Sequence, residues 1–217
     1  MFDHNPRIAR DGDRDVQVYH ARVNGLRPYC RAKTETRWTW KDYKPPVGEL
    51  YFQPDELWYA KRFSPDVVIE PNLKGNASPN KDWGLARWHQ LVALLRNAGL
   101  RPVQMGTAGT QQLPGAEFIE TRNFRHACAV LARARAAVLT EGGLHHAAAV
   151  VGVRSVVIYG GYISPKQTGY DLHANLFTGV EPCGWRTPCK HCAGAMAKIT
   201  PEMVMEALSG ILMPRAA

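Results

Sequence analysis

The chain has 217 residues, 45% of them hydrophobic, and 27 Lys and Arg against 19 Asp and Glu give it a formal charge of +8. That length suits one large domain, or one plus an incomplete second, and the composition excludes disordered and fibrous classes. No apolar run approaches the ~18–20 residues that span a bilayer, and Met1–Asp15 has no apolar core of a secretory signal, so a cytoplasmic chain is expected.

Residues 1–65 are rich in aromatics, Arg and Pro and show little periodicity, which predicts a short irregular segment rather than an independent domain. Within it, Asp55 to Phe63 reads as a short helix with Pro54 in its first turn. From Asp66 the pattern alternates between strands and helices. Val67–Glu70 is a short strand, followed by a polar loop from Pro71 to Asp82. Leu85, Trp88, Leu91, Val92 and Leu95 fall at helical spacing, and Gly99 stops that helix. Pro102–Met105 and Phe118–Glu120 read as strands, and His126 to Arg135 as a helix. Ala136–Thr140 is a buried strand that turns through Glu141-Gly142-Gly143 into a helix from Leu144 to Val151. Ser155–Tyr159 is a further strand. Thr200 is an N-cap with Pro201 at the first helical position, for a helix ending near Leu208 with Gly210 just beyond. Strands alternating with helices predict an α/β fold over residues 66–217: a Rossmann-like parallel sheet with helices on both faces.

Five cysteines, an odd number, argue against a disulfide framework and for a reducing compartment. Cys183, Cys189 and Cys192 form C-x5-C-x2-C, with His191 and His173 nearby. A structural zinc site normally shows two paired ligand clusters, and His191 beside Cys192 is awkward for a shared ion. Reduced, packed cysteines and no metal are therefore the expectation, and Cys30 and Cys128 read as structural. The net charge favours anionic partners, but the basic residues form no block of five or six, so a nucleic-acid tail is disfavoured. Trp38, Trp40, Tyr43 and Tyr51 interleave with Arg and Lys as on single-strand platforms. No sheet is visible there to display them, so packing against the α/β domain is expected.

In open α/β sheets ligands bind beyond the carboxyl ends of the strands. Four such ends carry small or polar residues: Asn72–Lys81, Met105–Thr110, Thr140–His146 and Tyr159–Pro165. All four are expected to converge on one crevice. Gly142-Gly143, after a buried strand and opening an Ala-rich helix, leaves backbone N–H groups uncovered at a positive helix end, which suits phosphate, with His145 and His146 in the first turn. The same glycines also fit a plain tight turn with exposed histidines. Lys74 and Lys81 can bring ammonium groups to a diphosphate, or stay solvated. Gly106-Thr107-Ala108-Gly109 lacks both the dinucleotide fingerprint and the Walker lysine, and no G-x-S-x-G, H-E-x-x-H or EF-hand loop is present.

From Val67 to Leu208 the sequence resembles the C-terminal domain of the bacterial heptosyltransferases (glycosyltransferase family 9), enzymes of GT-B architecture. Their hallmark is a strand ending in Asp, a Thr/Ser-Gly turn, and a His on the opening helix turn. Here it reads Glu141-Gly142-Gly143-Leu144-His145-His146, with His146 on the family histidine, Gly143 on its glycine, and Glu141 in place of Asp. Lys81-Asp82-Trp83 resembles the family's Lys-x-Trp, whose lysine contacts phosphate. Gly160 resembles the glycine after the following strand, Ser164-Pro165 and Thr168-Gly169 the later loop, and the cysteine segment before Ile199-Thr200-Pro201 that of family members.

The resemblance implies inverting transfer from a nucleotide-diphosphate sugar, with no cofactor or metal required. Lys81, Gly142, Gly143 and His146 are the expected contacts to the leaving phosphates. Glu141, Ser78, Thr107, Gln111, Arg122, Gly160, Ser164 and Thr168 are the expected contacts to the rest of the donor. The general base is unassigned, although Asp11, Asp13 and Asp15 are available in sequence. Family members carry a full N-terminal acceptor domain, whereas about 65 residues precede the recognisable part here. The acceptor half is then missing, supplied by a partner chain or oligomer that completes the cleft, or lost through a truncated start. An anionic glycolipid or other anionic acceptor suits the charge, at most at the inner membrane face. A non-catalytic sugar-nucleotide-binding module is the alternative, and a basic nucleic-acid binder the third reading.

Overall fold

A computed structural model describes residues 5–10, 12–15 and 27–213; Asp11 lies outside the described residues. Its core is a six-stranded sheet built from β3 (Val67–Ile69), β4 (Pro102–Gly106), β5 (Glu117–Glu120), β6 (Ala136–Thr140), β7 (Ser155–Tyr159) and β8 (Ala174–Phe177). Strand order is β5-β4-β3-β6-β7-β8, every pair parallel. The chain leaves β3 toward β4 and β5, then returns to β6 on the other side of β3. The order therefore reverses between β3 and β6, and the carboxyl ends of those two strands flank a crevice.

Side-chain alternation divides the core between two faces. Val68, Val103, Ala137 and Leu139 face α1 (Pro54–Ala60), α3 (Phe124–Leu131) and α4 (Gly143–Val150). Val67, Ile69, Val138, Val156 and Ile158 face α2 (Leu85–Asn97) and α7 (Pro201–Leu212). Burial on both faces explains why these strands read as continuous apolar runs. Trp83 and Trp88, both fully buried, wedge between α2 and the sheet, and the Trp83 Nε1–H donates to the Ile199 carbonyl at 2.8 Å. Glu56 of α1 accepts from Arg125 of α3, which ties the N-terminal segment to this face.

Several expected boundaries move: α1 ends at Ala60 rather than Phe63, and α3 at Leu131 rather than Arg135. The third helix starts earlier than His126 because the Asn123 side chain accepts from the His126 N–H at 3.0 Å, which is an N-cap. The last helix passes through Gly210 to Leu212. Val204, Leu208 and Ile211 extend one buried stripe past the glycine, which outweighs the ~1 kcal/mol a mid-helix glycine costs. Its cap is as expected, with the Thr200 hydroxyl accepting from Met203.

Three elements escape the sequence pattern: β8, the short α5 (Pro165–Thr168) and α6 (Lys190–Ala197). The aromatic segment is also structured, contrary to the expectation that no sheet lies there. β1 (Cys30–Lys33) and β2 (Trp38–Trp40) form an antiparallel hairpin. Its rings nevertheless pack inward as expected: Trp40 meets Tyr162 edge-on at 5.3 Å and donates its Nε1–H to the Tyr162 carbonyl. Among the described residues no helix is long and apolar enough to cross a membrane.

Candidate functional site

A cavity of about 590 Å³ lies at the β3/β6 reversal. Its floor is Glu70, at the end of β3, together with Thr140, Glu141, Gly142 and Gly143, where β6 turns into α4. One side is the loop from Asn72 to Lys81; the other is Tyr162 and Ile163, after β7. Arg27, Lys33, Trp38 and Arg186 form the roof. Three of the four predicted strand ends thus converge. The fourth only adjoins, through Asn72 Nδ2–H donating to the Gln111 carbonyl at 3.1 Å.

The opening turn of α4 is organised by His145, which is fully buried. Its Nδ1 lies 2.9 Å from the Gly142 amide, and its Nε2 lies 2.9 Å from the Thr168 carbonyl. The same Nδ1 also lies 2.6 Å from the Gly142 carbonyl, so the ring is locked to the Gly142 peptide on one side and to Thr168 on the other. Burial depresses the pKa of this ring. Gly142 lines the cavity with its peptide held by this ring. The amides of Gly143 and the residues after it remain the unsatisfied donors of the helix end. Gly142 has extended backbone (φ 179°), and an added Cβ would meet only the Thr140 carbonyl oxygen, at 3.9 Å.

His146 lines the cavity, and its Nδ1 sits 2.8 Å from the Tyr170 hydroxyl. Burial, then the neighbouring His145, push its pKa down to about 3, so the ring is neutral at physiological pH. The tautomer that accepts the Tyr170 proton at Nδ1 leaves Nε2–H as a hydrogen-bond donor.

Two carboxyl groups line the cavity with opposite character. Glu141, 5% exposed, pairs with Lys81 on the single 3₁₀ turn Pro79–Lys81. Burial alone would raise its pKa, but the Lys81 ammonium beside it holds it at about 2. Burial pushes Glu70 up to about 8 against the pull of Lys81, with Glu141 adding repulsion. Its Oε2 is buried without a hydrogen-bond partner among the described residues, as is Trp38 Nε1 in the roof. Glu141, His145 and His146 also bring donor atoms within 4.8 Å of one another. Lys81 already holds the carboxylate and both His145 nitrogens are engaged, so this trio does not suit a metal ion.

Of the predicted contacts, Lys81, Glu141, Gly142, Gly143, His146 and Ser78 line the cavity; Thr107, Gln111, Arg122, Gly160, Ser164 and Thr168 do not. The physical reasons differ. Ser164 caps α5, its hydroxyl accepting from the Lys166 N–H, and Thr168 is fully buried against Tyr159 and His145. Gly160 gives room to Met196, which a Cβ would meet at 2.8 Å. Lys81 is ion-paired rather than free. Sequence reasoning missed Glu70, Arg27, Lys33, Tyr162 and Arg186. The one usable signal was Glu70, a carboxylate ending an otherwise wholly apolar strand at its ligand-facing end.

The sheet order, two-sided helix layers and switch-point cavity define a Rossmann-like fold of the kind found in GT-B glycosyltransferases. Solved structures share it. E. coli ADP-heptose LPS heptosyltransferase II superposes with a TM-score of 0.56 at 22% identity, covering 76% of this chain and 53% of that one. A glycosyltransferase family 9 protein from Veillonella parvula gives 0.57 at 17% identity, with the same coverages of 76% and 53%. E. coli heptosyltransferase WaaC, solved with ADP, gives 0.51 at 16% identity, covering 68% and 45%. The chain thus spans about half the length of these enzymes. No protein-family model and no curated protein matches the sequence.

Proposed function

We propose that this chain is the donor-binding part of a glycosyltransferase, holding a nucleotide-diphosphate sugar with its phosphates at the start of α4. The observation that carries this reading is the cavity at the β3/β6 reversal. There the free amides at Gly143 and beyond, a neutral His146 and the Lys81–Glu141 pair meet beneath a roof of cations. As the glycosidic bond breaks, negative charge grows on the departing diphosphate. Preorganised N–H donors at a helix end stabilise that charge more in the transition state than in the ground state. WaaC was solved with ADP, and its shared fold supports a nucleoside diphosphate as the leaving group. Inversion at the sugar and an anionic acceptor complete the reading.

The non-catalytic alternative has an observation of its own. Deprotonating an acceptor hydroxyl requires a base near neutral pKa. Glu141, held at about 2 by Lys81, is too weak, whereas burial pushes Glu70 up to about 8. No base is assigned in this cavity, so donor binding is better supported for this chain than catalysis by it alone.

Calorimetric titration with ADP-, UDP- and GDP-sugars, alongside single-stranded DNA, tests the reading. One nucleotide sugar is expected to bind, with His146→Ala weakening it roughly tenfold, the loss of about one charge-assisted hydrogen bond. Absence of nucleotide-sugar binding at millimolar concentration would sink the proposal, and binding without turnover would select the module.

A further inference from the structure

Cys183, Cys189 and Cys192 lie outside the cavity, yet they form the tightest cluster of soft donor atoms among the described residues. All three are free thiols whose Sγ atoms lie within 4.8 Å of one another. Cys183 Sγ is 3.8 Å from Cys189 Sγ and 3.1 Å from Cys192 Sγ. A tetrahedral ion with metal–sulfur bonds of about 2.3 Å sets its sulfurs about 3.8 Å apart, so the set closes on one ion with small side-chain movements.

The backbone prepares the sulfurs for negative charge. The Cys192 N–H points at Cys189 Sγ (3.4 Å) and the Trp185 N–H at Cys183 Sγ (3.5 Å). Cys189 caps α6 and Cys192 sits in its first turn, so C-x2-C supplies one pair. The loop after β8 delivers the third ligand, pinned by the Cys183 N–H donating to the Gly161 carbonyl at 2.8 Å. Neither nearby histidine is needed: His191 Nε2 bonds the Glu181 carbonyl, and His173 Nε2 the His145 carbonyl. This removes the objection that His191 and Cys192 are badly placed to share an ion. Cys192 is buried and the other two are partly exposed.

We propose that Cys183, Cys189 and Cys192 bind one thiophilic divalent metal ion of the zinc class, with solvent as fourth ligand. All-thiolate donors select such ions, and binding releases the thiol protons to solvent. The loop so fastened supports two walls of the cavity. The Gly184 carbonyl accepts from the Trp38 N–H of the hairpin (2.9 Å). The Trp185 carbonyl accepts from Ser78 and Asn80, the residues that begin the turn carrying Lys81. This site depends on its own donor set and stands or falls separately from the donor-binding reading.

The test is metal content and cobalt spectroscopy on the full chain, purified reduced and without chelator from zinc-supplemented medium. About one equivalent of zinc or iron per chain is expected, and removing it should lower the melting temperature. Co²⁺ should give thiolate-to-metal charge-transfer absorption and intense tetrahedral bands. Those bands should vanish in Cys183→Ser and Cys189→Ser and persist in Cys30→Ser and Cys128→Ser. Wild-type protein with five alkylatable thiols, under about a tenth of an equivalent of metal and no cobalt charge-transfer band would overturn the proposal. That measurement needs no variant, so it holds even if a substituted chain fails to fold.

Discussion

At the scale of single residues, the site depends on which groups are charged once buried. Glu141 stands where the resembling enzymes have Asp, and it is ionised because Lys81 is beside it. Replacing Lys81 by Met leaves a buried carboxylate without its partner, at a cost of ~3 kcal/mol near neutral pH. The sign with pH follows from the shift. Glu141 goes from an ordinary 4.5 to about 2, so its contribution is complete above about 4.5 and is lost as pH falls toward 2. Melting curves of wild type and Lys81→Met should therefore lie far apart at pH 7 and draw together below pH ~4. A constant gap would show that the pair is not what stabilises Glu141. His145 was legible only as one of two histidines in a helix turn. That it fixes the Gly142 peptide depends on a tertiary contact, the Thr168 carbonyl, 23 residues away in sequence.

At the scale of elements, legibility follows burial. The strands enclosed on both faces, such as β6 and β7, are unbroken apolar runs and read correctly. Edge strand β8 is half-buried throughout, and its Ala-Asn-Leu-Phe carries neither alternation nor a β-branched residue. Helix α6 contains Gly194 and Cys192, a weak helical pattern fixed by the Cys189 cap and the burial of Met196. The hairpin went unread because its partners are distant: Trp38 rests on Gly184, whose φ is +66°. A Cβ there would fall 1.7 Å from the Trp38 carbonyl oxygen. Gly184→Ala should thus destabilise the protein by at least ~2 kcal/mol and shift its tryptophan emission. Gly210→Ala, in α7 with nothing within 4 Å of the added Cβ, should stabilise by ~0.5–1 kcal/mol. Urea unfolding of the two variants distinguishes them, and similar midpoints would contradict this account of the hairpin.

For the whole molecule, the strand-order reversal between β3 and β6 brings distant sequence together. Glu70 and Glu141 are 71 positions apart, yet both floor one cavity. The hairpin and the cysteine loop close over it from opposite ends of the chain. The alternating pattern made the sheet legible, but not the roof, which combines Arg27 and Trp38 with Arg186. The central claim is that the start of α4 holds a diphosphate. The direct measurement is the backbone amide NMR spectrum of the labelled chain during titration with ADP, UDP or GDP. The account predicts that the amides of Gly143, Leu144 and His145 and the ring of His146 shift most. Saturating nucleotide that leaves these resonances in place, or moves only residues of the apolar groove around Leu50 and Val150, would contradict it.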